Sequence, residues 1–310
     1  MTRLGLVWIV TLLALSASSV SAQQPSVATF KSSVDLVTVT AVVRDRKGRF
    51  VDALTARDFD ITEGAEHRPI IDFQRDVQGG VSLTLLFDIS GSMESRLRDA
   101  REAAAHLIAW LGDERDEVAV FTFDTSLDEV VPFTTGVKTL PPSLTTVTPF
   151  GATSLHDAIA RAAERAASRE GRRHAVAVLT DGRDNASRLS PAEVSSIASA
   201  IDVPVYIFAV VATIDNPTED AATPSANRLA GPLEELASQT GGRVVLASTP
   251  AQRSLAARQI VDELRHQYLI AFESSGNPGW HPLVVRANNK DLVVRARNGY
   301  VGGQSRPNSF

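Results

Sequence analysis

From residue 81 to residue 266 the chain switches repeatedly between two hydrophobic periods, and few folds accommodate that alternation. Apolar runs of strand length occupy 81–87, 118–123, 174–179, 203–211 and 244–246. Between them apolar residues recur at helical spacing: Met93, Leu97, Ala100, Ala104, Leu107 and Leu111 first, then Leu155, Ala158, Ile159, Ala162, Ala163 and Ala166. Further helices are expected over 191–200, over 229–240 with a stop at Gly241-Gly242, and in a segment ending near His266. Strands that alternate with amphipathic helices build a mostly parallel sheet covered on both faces, so the spacing predicts a doubly wound α/β domain over 81–266. In such sheets ligands bind where loops leave the carboxyl ends of the strands.

The flanks have a different pattern. Residues 34–43 are rich in Val and Thr and turn through Asp45-Arg-Lys-Gly48 into Arg49-Phe-Val. A second hairpin is expected from 59–62 through Glu63-Gly-Ala-Glu66 to 70–73. Gly48 and Gly64 suit the positive φ that tight turns require. Beyond residue 267 the pattern is β-like again, at 268–272, 283–287 and 292–296. Isolated hairpins are marginal in water. The N-terminal segment 34–78 and the C-terminal segment 267–301 are therefore expected to form one small β module with the α/β domain inserted between them, leaving 302–310 as a tail.

Residues 1–22 have the form of an export signal, with Arg3 at the start, an apolar run over 4–15 and the small residues Val20-Ser21-Ala22 at the cleavage position. The run falls short of the ~20 residues that span hydrocarbon, so cleavage after Ala22 is expected rather than an anchor, followed by a linker over 23–33. The mature protein is then expected to be periplasmic or extracellular. The full chain of 310 residues includes no cysteine, which excludes thiol catalysis, cysteine zinc sites and disulfide staples. A net charge of −5 without a basic block argues against nucleic acid or anionic membrane as partner.

Three polar clusters fall at the expected carboxyl edge of the sheet. Asp88-Ile-Ser90-Gly-Ser92 follows the first strand, Gly151-Ala-Thr153 opens a helix, and Thr180-Asp181-Gly follows the strand at 174–179. Asp88, Ser90, Ser92, Thr153 and Asp181 offer two carboxylates and three hydroxyls. Oxygen-only donors suit a hard divalent cation, and the small number of carboxylates favours Mg²⁺, with Mn²⁺ or Ca²⁺ as alternatives. Taken alone, Asp88, Ser90 and Ser92 also fit an ordinary helix cap and turn; the two distant partners are what favour a metal.

In order and in context these residues resemble the von Willebrand factor type A domain and its metal-ion-dependent adhesion site. The family pattern of Asp-x-Ser-x-Ser, a distant Thr and a distant Asp reads here as Asp88-Ile-Ser90-Gly-Ser92, Thr153 and Asp181. The resemblance covers about residues 81–266 and includes "FGATSLHDAI" and "LTDGRDN". It implies a Rossmann-like fold, a cation bound by those five side chains directly or through water, and one position open to a carboxylate from a protein or peptide partner. One departure is Ala152, where the family often has Gly. The flanks, "DALTARDFDITEG" and "YLIAF…VVRARNGY", resemble those of exported bacterial proteins, often acidobacterial, built around this domain.

Two other functions use the same residues differently: a hydrolase in which the metal activates water, and a cell-envelope component whose metal only stabilises the fold. A Ser–His–Asp hydrolase would draw on Ser90 or Ser154, His156 and an Asp. The chain has no Gly-x-Ser-x-Gly elbow and no nucleotide-type glycine motif after any strand, so no catalytic residue is assigned. Asp184 and Asn185 are read as turn formers. The long polar loop at 212–228, with Asp215, Glu219 and Asp220, is expected on the same rim as a possible ligand-selecting wall or as a simple insertion.

Overall fold

The strand that begins at Val81 is the axis of the fold. All eight of its residues, Val81–Asp88, are buried, which requires paired edges on both sides and a covered sheet on both faces. The computed structural model describes residues 36–75, 79–112, 114–169, 172–210 and 231–303. The expected export signal, the linker, the loop at 212–228 and residues 304–310 lie outside that description.

Along the chain the elements are β1 (Leu36–Asp45), β2 (Phe59–Glu63), β3 (Glu66–His67) and β4 (Ile70–Arg75). There follow β5 (Val81–Asp88), α1 (Leu97–Leu111), β6 (Glu117–Phe123), β7 (Leu127–Thr135), α2 (Ser143–Thr146) and α3 (Leu155–Ala167). Next come β8 (Arg173–Thr180), α4 (Pro191–Ala200), β9 (Val205–Ala209), α5 (Pro232–Gln239), β10 (Arg243–Leu246) and α6 (Pro250–Arg265). The chain closes with β11 (Gln267–Glu273), β12 (Gly279–Ala287), β13 (Leu292–Ala296) and β14 (Gly299–Gly302).

A six-stranded sheet runs in the order β10-β9-β8-β5-β6-β7, parallel throughout except for β7. Side chains alternate across it. Leu83, Leu85 and Phe87 pack with α1 and α6, while Leu86, Val176 and Val178 pack with α3, α4 and α5. This is the doubly wound, mostly parallel α/β fold. Truncating a fully buried residue such as Leu85 to Ala costs about 3 kcal/mol. Local sequence sets the helix ends: α4 and α6 each start at a capping box, Ser190 with Glu193 and Thr249 with Gln252, with Pro at the first helical position. A Cβ on Gly242 would collide with the Val205 carbonyl, so the chain passes from α5 into β10 through a position only glycine fits.

The flanking segments interleave into two four-stranded sheets, β13-β1-β11-β4 and β14-β12-β2-β3. Each mixes strands from both ends of the chain, and Val39, Ile61, Tyr268, Phe272, Leu283 and Tyr300 share one core. The module meets the α/β domain through Thr40 Oγ1, which donates to Asp202 at 2.8 Å, and through Arg44 and Arg295, which pair with buried Glu263. Asp202 precedes β9, so this junction lies at the amino ends of the parallel strands and leaves the carboxyl edge clear.

Three expectations need correction. The segment 59–73 is not a simple hairpin: β2 pairs with the two-residue β3, and β4 crosses to pair with β11. Pro69, which has no N–H to donate, separates β3 from β4. Strand β7 was not anticipated, because an edge strand containing Asp128, Glu129 and Pro132 carries little apolar signal. Helix α1 starts at Leu97, and Met93, counted above at helical spacing, lies instead in a 3₁₀ turn over Gly91–Met93. Among the described residues no helix is long and apolar enough to cross a membrane.

Candidate functional site

Asp88 ends β5 and Thr180 ends β8, its neighbour in the sheet. The chain leaves β5 for the face covered by α1 and leaves β8 for the face covered by α4. A crevice opens where the winding reverses in this way. Asp88 is fully buried there; its Oδ1 accepts the Ser90 N–H at 2.9 Å and its Oδ2 accepts the Thr180 hydroxyl at 2.6 Å. Burial pushes the Asp88 carboxyl above the usual range. The Ser90 and Thr180 hydrogen bonds oppose that shift, and the charge of Asp181 adds to it.

The turn after Asp88 is held by backbone on both sides. Ile89 N–H donates to Phe123 O at 2.9 Å, Gly91 N–H to Gly151 O at 3.1 Å, and Phe150 N–H to Ile89 O at 3.0 Å. The Ser90 and Ser92 hydroxyls lie 3.1 Å apart within this turn. Thr153 is buried and latched to the third segment: its N–H donates to Asn185 Oδ1 at 2.7 Å, and its carbonyl accepts the N–H groups of Asn185 and Ala186 at 3.0 Å each. Asp181 is buried too. Its Oδ1 accepts the Arg183 N–H at 3.2 Å, and its Oδ2 lies 3.4 Å from Arg96 Nη1, which also reaches the Ser92 carbonyl at 3.3 Å.

All three polar clusters thus converge on one crevice. The donor set contains two carboxylates and three hydroxyls and fits a hard cation such as Mg²⁺. Arg96 places positive charge against Asp181 in the same crevice. Among the described residues no group of three or more His, Asp or Glu side chains is arranged to hold a metal. Asp215, Glu219 and Asp220 lie outside the described residues.

Sequence reasoning missed Arg96, gave Thr180 no role of its own, and took Asn185 for a turn former. Thr180 and Asn185 stand beside or near Asp181, but Arg96 reaches the crevice only because β5 and β8 are adjacent, a contact no spacing shows. His156 does meet a carboxylate, with Nδ1 3.1 Å from Asp184 Oδ2. That carboxylate also accepts the His156 N–H at 3.0 Å and the Ser187 hydroxyl at 2.5 Å. Burial raises the Asp184 carboxyl, and the Ser187 and His156 contacts outweigh it and hold it low. Among the described residues no serine hydroxyl hydrogen-bonds the His156 ring, and the cluster fastens the start of α3 to the loop after β8.

The family model of the von Willebrand factor type A domain matches residues 83–183. Residues 83–183, within the α/β part of the chain, are therefore similar to a von Willebrand factor type A domain. No curated protein matches the chain. Similar solved structures include an aerotolerance-related membrane protein from Bacteroides fragilis, with 21% identity over 60% of this chain and 98% of that one and a TM-score of 0.48. The conserved hypothetical protein BatB from Bacteroides thetaiotaomicron has 19% identity, coverage of 59% and 98%, and a TM-score of 0.47. A von Willebrand factor type A protein from Catenulispora acidiphila has 14% identity, coverage of 89% and 76%, and a TM-score of 0.44. At these scores the likenesses say nothing of activity or partner.

Proposed function

We propose that this is an exported, metal-dependent binding protein that recognises an acidic group on a protein or peptide partner. The cation is Mg²⁺, held at a metal-ion-dependent adhesion site by Asp88, Ser90, Ser92, Thr153 and Asp181. The observation that carries this reading is the convergence of three distant segments on one crevice whose donors are all oxygen and only two of them anionic. A bound Mg²⁺ would supply positive field that two carboxylates and neutral hydroxyls do not quench, and a partner's carboxylate is the natural counter-charge. The chain's own contribution is positioning: Thr180 and the Ser90 N–H orient Asp88, Asn185 fixes Thr153, and the backbone ties around Ile89 hold the serine turn. The form of residues 1–22 supports export, and the flanks support a place among exported, often acidobacterial, proteins of this type.

The test is thermal unfolding with Mg²⁺ and with chelator, on wild type and Asp181→Asn. A ligand of the native state raises its stability, so Mg²⁺ should raise the wild-type midpoint and leave the variant unmoved. Apo Asp181→Asn should stay within about 1 kcal/mol of apo wild type, because relief of repulsion on Asp88 offsets the lost Arg96 contact. Equal Mg²⁺ shifts in both proteins would refute the assignment.

A further inference from the structure

Phe150 is 81% exposed, more than any other large apolar residue described. An isolated exposed apolar side chain is ordinary on a protein surface. Phe150 is set apart by its backbone and its place. Its N–H donates to Ile89 O at 3.0 Å, inside the Asp88–Ser92 turn, and the next residue, Gly151, accepts the Gly91 N–H at 3.1 Å. Gly151 sits at φ +84°, a conformation that suits glycine, so the bend that presents the ring is built into the chain. The ring therefore stands on fixed backbone, three residues before Thr153 and within about 10 Å of it along the chain.

The opposite side of the crevice is charged. The exposed Arg183 side chain reaches Asp181 with its Nε at 3.5 Å, and Arg96 stands behind it. The rim thus offers an apolar anchor on the Thr153 side and positive charge on the Asp181 side. We infer that Phe150 is a specificity-determining residue for the partner: the site takes an acidic residue of a peptide segment whose neighbour, one or two positions away, is apolar. This rests on the binding function proposed above and adds the partner's local chemistry. An extended peptide advances about 3.3 Å per residue, so a neighbour one or two positions from the acid lies about 3–7 Å from it, inside the ~10 Å bound between Phe150 and Thr153. A pre-positioned aromatic ring is the kind of group that dominates interface energetics. Phenyl has no hydroxyl, and Pro149 and Ala152 beside it offer no side-chain hydrogen bond to a sugar, so a peptide fits better than an acidic glycan.

The experiment is selection of phage-displayed random heptapeptides on the full chain, in excess Mg²⁺ or in EDTA, for wild type, Phe150→Ser and Phe150→Leu. Wild type should enrich acidic peptides only with Mg²⁺, with an apolar residue within two positions of the acid. Phe150→Ser should enrich acidic peptides without that neighbour, and Phe150→Leu should restore it. A synthetic peptide selected on wild type should bind Phe150→Ser about tenfold more weakly, as expected for losing ring burial, with Mg²⁺ affinity and unfolding midpoint unchanged. Acidic enrichment with no apolar neighbour on wild type, or the same neighbour on Phe150→Ser, overturns this inference and leaves the binding function standing. Displacement of the peptide by polygalacturonate on wild type but not on Phe150→Ser overturns it in favour of a glycan. Absence of any Mg²⁺-dependent acidic enrichment overturns both.

Discussion

The Arg96 guanidinium lies 3.4 Å from the Asp181 carboxylate, so any cation entering the crevice meets a positive charge already paired with one of its expected ligands. The pair is largely buried on the Asp181 side and part-exposed at Arg96, at 3% and 19% of side-chain area. Without a metal, Arg96 offsets the charge of Asp181, which otherwise acts on buried Asp88. With a metal it becomes a like charge beside the ion.

Replacing Arg96 by Gln should therefore move two quantities in opposite directions. Mg²⁺ should bind about fivefold more tightly, and the apo protein should lose about 1 kcal/mol, the scale of a part-exposed ion pair. Calorimetric titration with Mg²⁺ and urea unfolding in EDTA measure the two effects. Weaker Mg²⁺ binding would mean instead that Arg96 helps to organise the ligands.

Asn185 is the second residue whose role comes from tertiary contact. Its side-chain oxygen takes the Thr153 N–H, and its own N–H goes to the Thr153 carbonyl. Asn185→Ala leaves the first of these donors unpaired at a part-buried position, at a cost of about 2 kcal/mol. It should weaken Mg²⁺ binding as well, because the backbone that carries the Thr153 hydroxyl loses one of its ties. Asn185→Asp keeps an acceptor and should recover most of the stability. An alanine variant with wild-type midpoint and Mg²⁺ affinity would remove Asn185 from the site.

What could be read from the sequence follows from where each signal arises. Strands β5, β6, β8 and β9 were visible because burial on both faces forces continuous apolar runs, as in Val81–Asp88. The five residues proposed as oxygen donors could be singled out because they occupy the turns just after strands and the start of a helix. Strand β7 was hidden because an exposed edge needs no such run. The crossing of β4 to β11 was hidden because alternation marks a strand without naming its partner. Arg96 resembles every other arginine on a helix until β5 and β8 are placed side by side.

Glu63 gives the β module a pH dependence. It is buried, and its carboxylate accepts the Ser275 hydroxyl at 2.7 Å and the Tyr300 hydroxyl at 2.9 Å, and it pairs with Arg68 Nε at 2.6 Å and His281 Nδ1 at 2.5 Å. Burial raises its carboxyl, but the Ser275 and Tyr300 hydrogen bonds and Arg68 outweigh it and hold it below the ordinary 4.5. A folded-state value below the unfolded one means the stabilisation is complete above pH 4.5 and is lost as pH falls through the lower folded value. Glu63→Ala should cost about 3 kcal/mol near neutrality, the scale of breaking a buried pair. The gap between variant and wild type should narrow towards pH 3 in urea unfolding followed by near-ultraviolet circular dichroism. A gap that stays constant with pH would mean that Glu63 contributes through packing and not through its charge.

The interleaving of the two chain ends makes the strongest prediction about folding. β1 lies between β13 and β11, β2 pairs with β12, and β4 pairs with β11. Every one of those partners comes from the segment after residue 266. Ending the chain there removes both neighbours of β1, most of the pairing of β2, and the Tyr268, Phe272, Leu283 and Tyr300 side of the shared core. What remains, a two-residue pairing of β2 with β3 and the bridge from Arg44 to Phe50, is too small to hold a sheet in water. Amide exchange at Val39, Ala41 and Val43 should therefore collapse from core-like protection to that of an unfolded chain in the truncated protein. Residues 81–265 keep their six-stranded sheet and both helical layers, so protection along β5 and β8 should persist. The α/β domain should lose some stability with its contacts from Arg295 to Glu263 and from Arg297 to Asp202. Retained protection at Val39 would mean that the N-terminal segment folds on its own, against the pairing described above.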